Sequence, residues 1–257
     1  MTNHGLIDTH AHLCDERFNT DLNEVIDRAS QKGVVGIVLV AETIADARLN
    51  LALAQKDSRL HQAAGLYPGY ADLDKADEMV GFIRNNRDKL LAIGEVGLDF
   101  QIARLQEERD IQLEVLKKFI DLSCELNLPL NIHSRAASKE TVDTLIDNGA
   151  KNVQLHAYHG KHKIALQAVE ADYYFSVPTS IVRSQQMQDL FKKLPLSHLL
   201  LESDSPVLGP EVATRNEPCN IAKSIPIIAN LKGVSSNKVV EQIYENTVRL
   251  YGDNFTS

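Results

Sequence analysis

The sequence predicts a (β/α)₈ barrel, and three observations lead there. Short β-rich runs alternate with longer amphipathic stretches along the whole chain, the pattern of repeated βα units. The runs number eight: Leu6 to Asp8, Val34 to Val40, Gln62 to Leu66, Leu91 to Glu95, Leu130 to His133, Val153 to His156, Tyr173 to Val177 and His198 to Glu202. Several are nearly unbroken apolar runs, as in VVGIVLV and HLLLE, which suits parallel strands covered on both faces and favours a closed barrel over an open sheet. The 257 residues lie near the roughly 250 typical of such a barrel, so residues 1–257 are expected to form one domain.

Between the strands the apolar period becomes helical. Leu105 to Leu126 places Ile111, Val115, Phe119, Leu122 and Leu126 on one stripe, with Glu and Lys elsewhere. Ser138 to Asn148 gives a shorter face from Val142, Leu145 and Ile146, with Gly149 as its C-cap. Ser205 to Asn220 is the longest irregular stretch, and in barrels such loops carry function.

Composition narrows the class further. The content is 44% hydrophobic and 24% charged, ordinary for a globular protein. Cys14, Cys124 and Cys219 form no CxxC pattern, which argues against a disulfide framework or a thiolate zinc knuckle. No apolar stretch approaches the roughly 20 residues that span a bilayer, and MTNHGLIDTH lacks a basic and then apolar signal segment. A cytoplasmic protein without a membrane partner is expected, and no feature calls for an obligate protein partner. The net charge of −8 leaves no basic footprint of the kind non-specific duplex binders use, so any grip on nucleic acid must be concentrated at the site.

The ionisable residues fall at the C-terminal ends of the proposed strands, the catalytic face of a barrel. Asp8, His10 and His12 follow the first, Glu95 ends the fourth, His133 the fifth and His156 the sixth, and Glu202 and Asp204 follow the eighth. An HxH pair on an extended segment turns both imidazoles to one side, where they can grip a cation. Four histidines and several carboxylates on five strand ends are costly to bury unpaired, so the set points to metal chemistry.

At these residues the chain resembles the TatD family of metal-dependent hydrolases. The matching segments are DTHAHL, GEVGLDF, LPLNIHSR, LHAYHG, LLLESDSP and RNEPCN, and they run along almost the whole chain. The resemblance implies two divalent cations, zinc for preference with magnesium or manganese as alternatives. His10, His12, Glu95 and Asp204 would hold one, and Glu95, His133 and His156 the other, so that Glu95 bridges. It also implies hydrolysis of phosphodiester bonds in nucleic acid, DNA first, as a 3′-to-5′ exonuclease on single-stranded or terminal DNA, with Asp204 as proton acceptor. Asp99 in GEVGLDF reads as a group that orders the loop or the ligands.

Arg135 and Arg215 carry guanidinium forks that suit either a substrate phosphate or a structural carboxylate such as Glu217, and Glu202 is expected to contact the substrate, bind a further cation or face a neighbouring helix. Two departures from the family pattern touch the same function. GLYPG places Tyr67 where many members carry a histidine, and His159 in LHAYHG stands where a small polar or acidic residue is usual. The competing reading is a barrel amidohydrolase acting on a cyclic amide, lactone or small phosphoester. Such enzymes often bridge their metals with a modified lysine, whereas here the fourth strand carries Glu95.

Overall fold

The computed structural model describes residues 4–255. Eight parallel strands, β1 (Leu6–Ala11), β2 (Val34–Leu39), β3 (Leu60–Ala64), β4 (Ala92–Asp99), β5 (Leu130–Arg135), β6 (Val153–Leu155), β7 (Tyr174–Pro178) and β8 (Leu199–Glu202), lie side by side in chain order. Helices α1 (Leu22–Gln31), α2 (Ile44–Ala54), α3 (Leu73–Asn85), α4 (Gln106–Leu126), α5 (Ser138–Asp147), α6 (His162–Glu170) and α7 (Gln185–Lys193) follow successive strands. Two more, α8 (Ser224–Lys232) and α9 (Ser236–Tyr251), follow β8. No helix among the described residues is long and apolar enough to cross a membrane.

The barrel closes through the residues just past β8. The Asp204 amide donates to the His10 carbonyl (2.9 Å) and the His12 amide to the Ser205 carbonyl (2.8 Å), and Ala11 bridges Ser205. Closure therefore sets Asp204 against the HxH segment, with its backbone at φ 53°, a left-handed conformation that Asp tolerates better than most residues.

Outside the barrel the core is apolar, with Phe119, Phe175 and Phe191 among its largest fully buried side chains. Inside lies a polar layer. Tyr251, reaching in from α9, donates to Gln154 Oε1 (2.6 Å), and Gln154 Nε2 donates to Ser176 Oγ (2.9 Å). Such buried polar groups persist because each finds a partner.

The helical stripe on α4 is rotated from its expected position. Gln112, Val115, Leu116, Phe119, Ile120, Leu122 and Ser123 are buried, and Ile111 is 40% exposed, because small polar groups as well as apolar ones fit against the barrel. β3 starts two residues earlier than expected, where Leu60 pairs with Ile37. β4 runs four residues beyond Glu95, because it pairs with β5 in unbroken register from Val96 with Ile132 to Asp99 with Arg135.

That pairing needs Gly97. Its φ is 147°, and a Cβ there would lie 2.0 Å from the carbonyl oxygen of His133. Gly97→Ala is expected to lower the unfolding free energy by roughly 3 kcal/mol, from a disfavoured φ and a clash with a backbone that cannot retreat. Urea denaturation measures this, and a loss under about 1 kcal/mol would show that β4 and β5 part easily there.

Candidate active site

Six side chains converge at the C-terminal mouth of the barrel. His10 and His12 come from β1 and its end, Glu95 from β4, His133 from β5, His156 from just beyond β6 and Asp204 from the seam. His10 Nε2 lies 3.2 Å from His12 Nε2, 3.7 Å from Glu95 Oε2 and 3.6 Å from Asp204 Oδ1. His12 Nε2 lies 3.5 Å from the same Glu95 oxygen and 3.4 Å from the same Asp204 oxygen. Donors about 2.0–2.1 Å from a tetrahedral cation stand about 3.3–3.4 Å apart, so the two histidine nitrogens lie near coordination-shell spacing from each other and from one oxygen each of Glu95 and Asp204.

The other oxygen of Glu95 faces a second group. Glu95 Oε1 is 2.7 Å from His133 Nδ1 and 2.9 Å from His156 Nε2, and the two nitrogens are 2.9 Å apart. Two groups able to hold a metal thus share one carboxylate, His10 and His12 with Glu95, and Glu95 with His133 and His156. A third grouping, His10, His156 and Glu202, is weaker chemically because Glu202 already serves the backbone and a hydroxyl.

His10 and His133 are aimed from behind by hydrogen bonds. Asn131 Nδ2 donates to the Thr9 carbonyl (2.9 Å), so its Oδ1 is left to accept from His10 Nδ1 (2.8 Å), and His10 Nε2 keeps its lone pair. Asp99 Oδ2 lies 3.1 Å from His133 Nε2 and also accepts from Tyr67 Oη (2.9 Å) and Arg135 Nε (2.8 Å), leaving His133 Nδ1 for the centre. Behind His156, Nδ1 has no hydrogen-bond partner among the described residues, and Glu202 Oε2 is 3.8 Å away. Outer partners of this kind orient metal-binding histidines.

Electrostatics suit a cation. Burial, with His156 adjacent, pushes His10 down to about 3, so it is a neutral donor. Burial also opposes charge on His12 and His133, but carboxylates outweigh it, Asp204 and Glu95 for the first and Asp99 and Glu95 for the second, and both rise to about 9. Glu95 is only 3% exposed, yet the histidines hold it well below the usual carboxylate range against the pull of burial. A cation entering this cluster displaces protons from His12 and His133. Asp8 stands behind β1, accepting from the Ser203 amide (2.8 Å), and burial pushes it up to about 7.

The remaining sequence expectations divide. Arg135, 49% exposed at its side chain, stands at the mouth, and its Nη1 makes no hydrogen bond among the described residues. Tyr67 also lines the mouth, but its hydroxyl proton goes to Asp99 and its oxygen accepts from Arg135 Nη2 (3.3 Å). His159 is exposed, with Nδ1 bonded to the Ala157 carbonyl. Glu202 and Arg215 are not brought to the mouth. Glu202 is fully buried and accepts from the Ala157 amide (2.8 Å) and Ser176 Oγ (2.5 Å). The fork of Arg215 is filled by Asp21 and Glu217, and it lies over the Phe18 ring.

Two participants escaped the sequence reading. Glu42, just past β2, lines the mouth with Oε1 4.0 Å from His12 Nδ1, and only its place at a strand end could have marked it. Asn131 carries a clearer signal, since it lies two residues before His133 on one face of an apolar strand.

The mouth opens into two cavities that share His133, Arg135, His156, Asp204 and Val207, one of about 260 Å³ toward β2 and one of about 1090 Å³ toward α5 and α6. A separate cavity of about 670 Å³ lies at the opposite end of the barrel, among residues such as Leu60, Leu90 and Pro129.

Comparison with known proteins places this geometry among relatives. Residues 7–252 match the family described as TatD related DNase. The human deoxyribonuclease TATDN3 is 41% identical over 259 residues, covering 96% of this chain and 94% of that protein. YabD of Bacillus subtilis, an uncharacterized metal-dependent hydrolase, is 32% identical over 254 residues, covering 96% and 98%. Among solved structures, YJJV, a TatD homolog from Escherichia coli K12, superposes with a TM-score of 0.85 at 27% identity, covering 97% of this chain and 98% of that one.

The role of Asn131 is directly testable. Asn131→Leu keeps the volume but removes the acceptor behind His10, and divalent-cation affinity should fall about 10–100-fold. Calorimetric titration of chelator-stripped protein measures it. Unchanged affinity would mean that His10 is oriented by something else.

Proposed function

The chain belongs to the TatD-related DNase family, hydrolases acting on ester bonds, and from that premise we propose a two-metal phosphodiesterase that cleaves single-stranded or terminal DNA. The observation that carries this reading is the division of Glu95. Its two oxygens face separate donor groups, which supports one cation held by His10, His12, Glu95 and Asp204 and a second held by Glu95, His133 and His156. Imidazole-rich shells with tetrahedral spacing favour zinc over magnesium, which prefers six oxygens. The described residues act as one barrel domain around this centre.

Bound there, two dications would supply a water of lowered pKa and would offset charge on the attacking and leaving oxygens of an in-line displacement. The protein's own groups do the rest. Asp204 lines both cavities, and although burial pulls its pKa up, His12 and the neighbouring histidines hold it below the ordinary value. It is therefore ionised and placed to take a proton from the attacking water. Arg135 offers its free edge to a phosphate oxygen while Asp99 fixes the other edge. Tyr67, committed to Asp99, steadies that pair, so the contact made by a histidine in many relatives passes to Arg135.

The depth of the donors supports single-stranded or terminal substrates. His10, Glu95 and His156 are buried, and a duplex about 20 Å across cannot bring its phosphate down to them without a strand leaving the stack. Purified protein should cleave DNA oligonucleotides and not cyclic amides or lactones, which separates this reading from an amidohydrolase. Asp204→Asn should keep much of the metal and lose on the order of 10²-fold or more in turnover on single-stranded DNA. Near-normal turnover with normal metal content would remove Asp204 as the base.

A further inference from the structure

The two cavities of the mouth differ in charge. The smaller one is lined by Asp15, Glu42 and Asp46, with Arg17 as its cation besides Arg135, and Arg17 is already paired with Asp15. The larger one carries Lys139, Lys161 and Lys163, with Glu140 as its carboxylate besides Asp204. Lys139 pairs with Asp143. Lys161 and Lys163 meet no carboxylate among the described residues. In a chain with 27 basic and 35 acidic residues, two unmatched lysines beside the metal donors are a local reversal of sign.

The larger cavity also has surfaces a nucleobase can use. Its floor includes Ala157, Ile164 and Val207, and Val207 is 45% exposed. His159 lines it, and because a carbonyl can only accept, its Nδ1 carries the proton it donates to Ala157. Imidazole and apolar faces of this kind stack unpaired bases.

We propose that the groove between α5 and α6 seats the nucleotide next to the scissile phosphate, and that a DNA strand leaves the metal centre on this side alone. Lys161 and Lys163 hold its phosphate, and its base lies against His159 and Val207. The acidic cavity repels a continuing polyanion, so the strand ends at the metals. This inference rests on the phosphodiesterase reading but concerns binding, so the two can fail separately.

The test uses full-length zinc-loaded protein and a hydrolysis-resistant phosphorothioate single strand about 12 nucleotides long, within the span of such grooves. Affinity is read by fluorescence anisotropy over a salt series. Lys161→Glu combined with Lys163→Glu should weaken binding at least tenfold and reduce the log–log salt slope by about 0.7, the contribution of the one phosphate these lysines hold on a single strand. His159→Ala should weaken it about fivefold, the loss of a modest stacking contact. Lys192→Glu combined with Lys193→Glu makes the same charge change on α7, outside both cavities, and should alter affinity less than twofold. Equal losses in the two double variants, or none in the first, would overturn the groove. Failure of the unmodified protein to cleave ordinary DNA, with the groove variants still defective in phosphorothioate binding, would overturn the phosphodiesterase reading and leave the groove standing.

Discussion

Glu95 is the constraint on which the rest of the mouth depends. A carboxylate this buried loses its hydration, and burial alone would drive it neutral. It stays charged because four imidazoles surround it, and each oxygen answers a different pair. Those imidazoles face one another with nitrogen atoms only 2.9–3.2 Å apart, so that each pair can share a proton or turn its lone pairs to a cation. The donor set is therefore built around positive charge, and the barrel exists to hold it in place.

Holding it requires precision from elements far apart in sequence. β4 must run on past Glu95 in register with β5 so that Asp99 reaches His133, and Gly97 permits the close approach. The seam between β1 and β8 must close so that Asp204 meets the HxH pair. Behind these, a layer of amides and hydroxyls fills the barrel interior and reaches its lower end at Tyr251. Asn131 joins that layer to His10, with Nδ2 3.4 Å from the Tyr251 hydroxyl. Orientation of the donors is thus coupled to the packing of α9, which a purely apolar core could not achieve.

Much of this was legible in the sequence. Eight strands, their order and the six converging donors follow from apolar runs that end in His, Glu or Asp, because the barrel places every strand end on one rim. Exact limits were less legible, as at β3, because register is set by partners such as Ile37 that lie elsewhere in the chain. The sequence left the roles of Arg215 and Glu202 open for a related reason. Motif position says that a polar residue stands near the rim, but only the fold shows that Asp21 and Glu217 fill the fork of Arg215, or that Glu202 turns inward to Ser176. Glu42 was invisible because a lone glutamate after a strand resembles any solvated residue. The charge asymmetry of the two cavities could not be read either, since Lys139 and Lys161 are brought together by packing of α5 against α6.

The account stands on two cations sharing one carboxylate. Anomalous scattering from crystals of the zinc-loaded protein tests this most directly. Two peaks are expected, each about 2.0–2.2 Å from its donors, one among His10 Nε2, His12 Nε2, Glu95 Oε2 and Asp204 Oδ1, and the other among Glu95 Oε1, His133 Nδ1 and His156 Nε2. A single peak at full loading, or a peak held by Glu202 in place of Glu95, would contradict it.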